Sequence, residues 1–168
     1  RVSMGVQDFD PEVQRAVNRY NSRQEVDSLM QDLRQQNYHS ISMDLIYGLP
    51  KQTLRSVGET LAQVIDLSPD RLSLFNYAHM PHLFKSQELI SSADLPSPMQ
   101  KLELLQMAIE RLQSAGYVYI GMDHFAKPHD SMVIAQQQGK LQRNFQGYST
   151  HGDCDLLAFG VSAISAFG

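Results

Sequence analysis

Residues 39–53, HSISMDLIYGLPKQT, join a short run of β-favouring side chains to a turn that contains Gly48 and Pro50. Thr53 then has the side chain of a helix N-cap. Apolar side chains follow at the spacing of one helix face: Leu54, Val57, Leu61, Val64 and Ile65. The stretch therefore predicts one βα unit, in which a strand, a turn and an amphipathic helix follow one another.

Similar units are predicted on both sides of this stretch. Further strands are predicted over Val2–Gln7, Arg71–Ala78 and Tyr117–Gly121, each followed by polar side chains. Strands separated by helical segments indicate parallel pairing in an α/β fold. Four such units are too few to close a barrel, so they form either an open doubly wound sheet or part of a larger barrel.

Helix boundaries are indicated by capping signals. Ser22 with Glu25 three residues later fits a capping box, and Ser97 before Pro98 fits a second helix start. The helix after Ser97 is predicted to bury Leu102, Leu105, Ile109 and Leu112. A short helix is predicted over 131–140, and the Gly- and Ser-rich residues after it are predicted to form a binding loop followed by a strand or short helix.

Ligands of parallel α/β folds bind at the carboxyl ends of the strands. The residues predicted at that edge are Gln7, Asp44, Asn76, Tyr77, Asp123 and His124. Asp44 lies inside an apolar strand, where a carboxylate is costly unless something pairs with it. A ligand role and a structural ion pair to an arginine are about equally compatible with the pattern. Arg19 could hold a carboxylate bidentately, although a surface role is commoner for a helix arginine.

Other candidate groups have equally plain structural explanations. His79 and His82 could bind a metal, but a hydrogen-bonded loop pair is the favoured interpretation because no third ligand is evident. Asp123 and His124 could form an acid/base pair or simply support a loop. Residues 144–148, NFQGY, could present an aromatic face to a planar ligand or pack as a loop. Cys154 lies between two acids that disfavour its thiolate, so it is not predicted to be a nucleophile.

Composition limits the classes of function. The 168 residues allow one domain with a sizeable core, and the net charge of −4 without a Lys/Arg run argues against nucleic acid as a partner. No apolar run of transmembrane length is present, so no membrane association is expected. The single cysteine excludes an internal disulfide and fits a cytoplasmic protein. Both ends are interpreted as lying within a longer protein.

Eight short stretches resemble oxygen-independent coproporphyrinogen III oxidase, a radical S-adenosylmethionine family of haem synthesis. The resemblance covers nearly the whole chain, and NYAHMP (76–81), GMDHFA (121–126) and RNFQGYST (143–150) are together the most specific to the oxidase. The stretches are SMGVQDF (3–9), VNR (17–19), DLIYGLPKQT (44–53), DRLSLFNYAHMP (70–81), ADLPSP (93–98), GMDHFA (121–126), RNFQGYST (143–150) and GVSAIS (160–165).

This resemblance implies an incomplete, TIM-like (β/α)6 radical S-adenosylmethionine barrel, with residues 1–168 forming part of it. It implies a 4Fe-4S cluster, two S-adenosyl-L-methionine molecules and an electron donor to the cluster. The reaction it implies is oxidative decarboxylation of coproporphyrinogen III to protoporphyrinogen IX. By position, Ala78 and Ile164 match residues near the first S-adenosylmethionine, with Phe145 and Gln146 in a loop lining that site. Gln7, Arg19 and Asp44 match residues near the second.

The chain departs from the family in what it lacks. The cluster motif C-x-x-x-C-x-x-C and the G-G-T-P motif are absent and are expected before Arg1, and the family's C-terminal domain is expected after Gly168. The cluster ligands are thus expected outside these residues, none of which is assigned as a metal ligand or a proton-transfer catalyst. The segment is expected to be inactive alone, and the full-length enzyme to be monomeric.

Two other interpretations remain open. A haem-binding or trafficking relative without decarboxylase activity shares strands of the DLIYGLP type. An unrelated α/β binding domain would require the matched stretches to be coincidental, which their number and order disfavour.

Overall fold

The structure is a computed structural model that describes residues 1–144 and 147–167. Its backbone divides into two compact units, Arg1–Asp130 and Ser131–Gly168. The two units are described separately, beginning with the larger one, which contains the strands predicted around residues 39–53.

The first unit is an α/β structure whose helices follow its strands. Its strands are β1 Val2–Gln7, β2 Ile41–Tyr47, β3 Arg71–Asn76, β4 Val118–Gly121 and β5 His124–Ala126. Its helices are α1 Pro11–Ala16, α2 Arg23–Gln35, α3 Leu54–Leu67 and α4 Pro98–Ser114, with short 3-10 helices over Lys85–Gln87 and Ser92–Asp94.

The strands form one sheet in the order β1-β2-β3-β5-β4. β1 pairs with β2 and β2 pairs with β3, both in parallel, as the βα units predict. β5 is antiparallel to both β3 and β4. The fourth predicted strand, β4, therefore runs in the same direction as β1, β2 and β3, but it pairs with β5 and not with β3. β5 was not predicted, and the two-residue connection of Met122 and Asp123 makes it antiparallel to β4.

The predicted helix starts are confirmed. Ser22, Thr53 and Ser97 each accept a hydrogen bond from the backbone N–H three residues later, within a reciprocal capping box. The strand predicted over Arg71–Ala78 ends earlier, at Asn76.

The buried stripe predicted for α4 is confirmed at Leu112 and wrong at Leu102, while Leu105 and Ile109 pack partly buried against the core. Leu102 is 59% exposed, and the fully buried side chains of the helix are Leu104, Ala108 and Leu112. The small Ala108 belongs to the face that packs in the core, while Arg111 lies against Gly58 of α3 and donates to its carbonyl. Helical spacing alone does not decide which of two overlapping apolar stripes faces the neighbouring helix.

The second unit has little regular structure among its described residues. It contains α5 Ser131–Gln137, shorter than the predicted 131–140, and an antiparallel hairpin of β6 Gln142–Asn144 with β7 Gly147–Ser149. Leu156 and Ala166 form an isolated antiparallel bridge. Across the described part of the chain, no helix combines the length and apolar character needed to cross a membrane.

Candidate ligand-binding site

One face of the sheet packs in the hydrophobic core, and the other carries a row of polar side chains. Met43 and Leu45 of β2 belong to the hydrophobic core, so Asp44 between them projects to the opposite face. The register places Gly5, Asp44, Ser73 and His124 side by side on four adjacent strands. A carboxylate, a hydroxyl and an imidazole therefore share one row across this face.

Asp44 is half-buried and accepts a hydrogen bond from Ser3 Oγ at 3.2 Å. No ion pair to Asp44 occurs within the described residues, so the structural alternative of a paired arginine is not observed there. Its neighbours in register, Gly5 and Ser73, leave the carboxylate without a bulky side chain directly beside it. Asp44 therefore keeps capacity to accept hydrogen bonds from a ligand.

The side chains of Gln7 and Arg19 both lie against Gly5. Arg19 Nη2 donates to Gly5 O at 2.8 Å, and a Cβ on Gly5 would lie 2.5 Å from Gln7 Nε2 and 3.1 Å from Arg19 Nη2. Gln7 itself has a left-handed backbone, with φ of 70°. Because Gly5 is also the register partner of Asp44, the structure brings Gln7, Arg19 and Asp44 to one place, although they are far apart in sequence.

A cavity of about 250 Å³ opens beside this cluster at the carboxyl ends of the parallel strands. Its walls combine polar and apolar side chains, which suits an amphipathic small molecule. The lining includes Gln7, Arg19, Ile46, Leu49, Tyr77 and Gln87.

The exit of β3 is held by two side chains from later elements. Gln87 donates from Nε2 to Ala78 O at 3.1 Å and accepts at Oε1 from Met80 N at 2.5 Å. Lys101 of α4 donates from Nζ to Tyr77 O at 3.0 Å. The exposed Ala78 thus lies in a clamped segment at the same edge of the sheet as Gln7.

The Lys101 side chain passes over the Gly48 backbone to reach Tyr77 O. A Cβ on Gly48 would lie 2.8 Å from Lys101 Cε, and Gly48 has φ of 85°. Both the close approach and the left-handed backbone require glycine at this position.

A buried polar network supports the exits of β1 and β2, and sequence reasoning did not identify it. Asp8 is 2% exposed and accepts hydrogen bonds from Thr60 Oγ1 at 2.6 Å, Gln52 Nε2 at 2.6 Å and Asp10 N at 2.7 Å. The signal available in the sequence was an acid at a strand exit, but its partners are 44 and 52 residues away.

Burial raises the pKa of Asp8 above its usual 3.8, and the nearby charge of Asp10 adds to the shift, while the hydrogen bonds from Thr60, Asp10 and Gln52 oppose it. A raised pKa means that the folded protein holds this proton more tightly than the unfolded chain does. The corresponding stability is fully present below the unfolded pKa and is lost as pH rises through the folded pKa.

Asp8→Asn removes this titration. We therefore expect the stability of the wild-type protein, relative to the Asp8→Asn variant, to increase as pH falls from 7 towards 4. Urea denaturation of both proteins across this range measures the difference. Asp66→Asn, at an exposed carboxylate that pairs with Arg23, is the control. A stability difference for Asp8→Asn that does not change with pH would contradict the expectation.

The remaining predicted positions are placed as follows. Asp123 lies in the β4–β5 turn and its carbonyl accepts from Leu74 N at 2.7 Å, so it is at the carboxyl end of β3. His124 is the first residue of β5, with its ring edge towards Phe75. Ile164 and the exposed Cys154 belong to the second unit. Phe145 and Gln146, predicted to line a cofactor loop, lie outside the described residues.

His79 contacts Tyr77, at 3.3 Å between Tyr77 Oη and His79 Nδ1. In the part of the chain that the structure describes, no group of three His, Cys, Asp or Glu side chains has the arrangement of a metal site.

Comparison with known proteins connects this geometry to a class. Coproporphyrinogen III oxidase (HemN) from Escherichia coli, whose structure is described as that of a radical SAM enzyme, superposes with a TM-score of 0.93 at 56% identity, covering 97% of this chain and 38% of that one. Methanocaldococcus infernus Elp3 shares the fold at 18% identity, with a TM-score of 0.54 over 64% of the chain. The α/β sheet with its candidate site at the strand ends therefore matches part of the structure of a radical SAM enzyme.

Sequence comparison finds oxidases that are similar to the chain over its whole length. The chain is 60% identical over all 168 residues to oxygen-independent coproporphyrinogen III oxidase of Pseudomonas aeruginosa, of which it covers 36%. It is 50% identical over 165 residues to that of Thermostichus vulcanus, of which it covers 51%. The predicted resemblance is confirmed: the chain corresponds over its whole length to a segment of these oxidases and spans about a third of the Pseudomonas aeruginosa protein. No family model matches the chain.

Proposed function

We propose that this chain is the segment of an oxygen-independent coproporphyrinogen III oxidase that binds S-adenosylmethionine at the strand exits. The full-length enzyme converts coproporphyrinogen III to protoporphyrinogen IX by oxidative decarboxylation of two propionates. The observation that carries the proposal is the convergence of Gln7, Arg19 and Asp44 around Gly5, in a chain 60% identical to such an oxidase.

The residues present suit S-adenosylmethionine. Asp44 can accept hydrogen bonds from ribose hydroxyls or from the ammonium group, Arg19 can pair with the carboxylate, and Gln7 offers both a donor and an acceptor. Ile46 and Leu49 add apolar surface for the adenosyl part. When bound, this cofactor together with a reduced cluster supplies radical chemistry, while the protein orients the reactants and excludes water.

Beyond this site, the proposal includes two S-adenosylmethionine molecules, the first beside Ala78, Phe145, Gln146 and Ile164. The single cysteine does not suit a 4Fe-4S cluster, which needs several thiolates, so the cluster ligands are proposed to lie outside these residues. The full-length enzyme is proposed to act as a cytoplasmic monomer that receives electrons from a separate donor.

An anaerobic assay of the full-length protein encoded by the gene of this chain tests the function. After cluster reconstitution, we expect conversion of coproporphyrinogen III to protoporphyrinogen IX that depends on S-adenosylmethionine and a reductant. The 168-residue segment assayed in parallel is expected to form no product and to bind no stoichiometric cluster. Haem binding by the full-length protein without any product would instead support a haem-trafficking relative.

A further inference from the structure

We propose that Gln52, held in place by Asp8, is a positioning residue that fixes the wall of the ligand cavity formed by Gln7, Ile46 and Leu49. The inference rests on the proposed function, since the ligand concerned is the S-adenosylmethionine assigned to that cavity. Gln52 makes no contribution to the cavity lining itself and acts through the backbone groups that it binds.

The Gln52 amide spans the turn at the end of β2. Its Nε2 donates to Ile46 O at 2.9 Å, and its Oε1 accepts from Leu49 N at 2.9 Å. These two bonds join the backbone before and after Tyr47 and Gly48. They therefore set the separation of Ile46 and Leu49, whose side chains line the cavity.

Asp8 fixes the orientation of this amide. Gln52 Nε2 uses its second hydrogen to donate to Asp8 Oδ2 at 2.6 Å. If the amide were inverted, its oxygen would face both the Asp8 carboxylate and the Ile46 carbonyl. Because Gln52 is only 7% exposed, water cannot readily relieve that mismatch, and the observed orientation is strongly favoured.

Asp8 also links the turn to the ligand cluster. It follows Gln7 directly, and its Oδ1 is anchored by Thr60 Oγ1 of α3 and by Asp10 N. The position of Gln7 over Gly5 is thus tied to the same network that holds Ile46 and Leu49. One buried pair consequently connects three residues on the cavity wall.

The first test is Gln52→Leu in the full-length protein, because leucine has a similar size but no amide. Misplacement of cavity groups is expected to raise the Kd for S-adenosylmethionine by about tenfold, measured by anaerobic titration calorimetry on protein shown to be folded by circular dichroism. The matched control is Tyr117→Phe, which removes a buried hydrogen bond from Tyr117 Oη to Pro69 O at the amino end of β3. It is expected to lower the thermal midpoint but to leave the Kd within about twofold.

The second test exchanges the hydrogen-bond donor and acceptor between positions 52 and 8. Gln52→Glu places a carboxylate against Asp8 and is expected to weaken binding. Adding Asp8→Asn restores a matched hydrogen bond and the original combined charge, so it is expected to recover part of the affinity. This pair of variants keeps the inference testable if Gln52→Leu does not fold.

The outcomes separate this inference from the proposed function. Wild-type affinity in folded Gln52→Leu or an equal loss of affinity in Tyr117→Phe overturns the positioning role. Because the introduced carboxylate cannot donate to Ile46 O, no recovery in the double variant overturns the part assigned to Asp8. A wild-type full-length protein that binds no S-adenosylmethionine overturns the proposed function and this inference together.

Discussion

Asp44→Asn in the full-length protein is expected to weaken S-adenosylmethionine binding by about tenfold to a hundredfold and to lower protoporphyrinogen IX formation. The substitution keeps the size of the side chain but removes its charge and replaces an acceptor oxygen by a donor. Asp44 makes no ion pair with the described residues, so its charge is available to a ligand. Loss of a hydrogen bond to a charged group costs roughly 1.5–3 kcal/mol, which corresponds to this loss of affinity.

The measurements for Asp44→Asn are equilibrium binding, cluster absorbance and thermal melting of the same preparation. Cluster content and melting are expected to be unchanged, because the carboxylate accepts a hydrogen bond from Ser3 Oγ that an asparagine oxygen can also accept. Asp66→Asn is the matched control, since this carboxylate in α3 is exposed and pairs with Arg23. Wild-type binding by a folded Asp44→Asn protein contradicts the proposed role, and a large loss of melting temperature supports a structural role instead.

Asp130→Ala is expected to produce the largest loss of stability, about 3–5 kcal/mol. Asp130 pairs with Arg71 at 2.8 Å between Oδ2 and Nε, and the two side chains are 6% and 10% exposed. Removing the carboxylate takes away a buried charged partner of the Arg71 guanidinium. Arg1 adds to the expected loss of stability. Burial and the charge of Arg71 lower the pKa of Arg1, and the charge of Asp130 opposes this lowering.

Urea denaturation of the full-length protein measures this loss. Glu59→Ala is the control, because it removes the partner of Arg55 in a solvent-exposed pair and is expected to change the free energy of unfolding little. Asp130→Asn, which keeps the volume, is expected to be destabilised nearly as much as Asp130→Ala. Equal and small effects for Asp130→Ala and Glu59→Ala would show that the buried pair contributes little.

Local signals in the sequence were sufficient for much of the fold. The βα unit of residues 39–53 and the three capping boxes follow from side chains within a few positions of one another. Parallel pairing of β1, β2 and β3 follows from the helices between them. The turn of Met122 and Asp123 also offered a local signal. Its length of two residues indicates a hairpin, and hence the antiparallel β5.

The site was determined by sequence only in part. Gln7, Arg19 and Asp44 were predicted from a family resemblance, and their convergence over Gly5 depends on strand register and on the left-handed backbone at Gln7. Their roles toward a ligand stay predictions. The roles of Phe145, Gln146 and Ile164 likewise stay predictions.

Sequence by itself therefore determined the three capped helix starts and the parallel part of the sheet, because each depends on periodicity and capping within a short window. Only the tertiary structure decided that Ala108 rather than Leu102 faces the core, and that Asp8, Gln52 and Thr60 form one network. The physical reason is that burial and hydrogen bonding in these cases join groups tens of residues apart. Their energies depend on which faces meet after folding, and no local pattern records that choice.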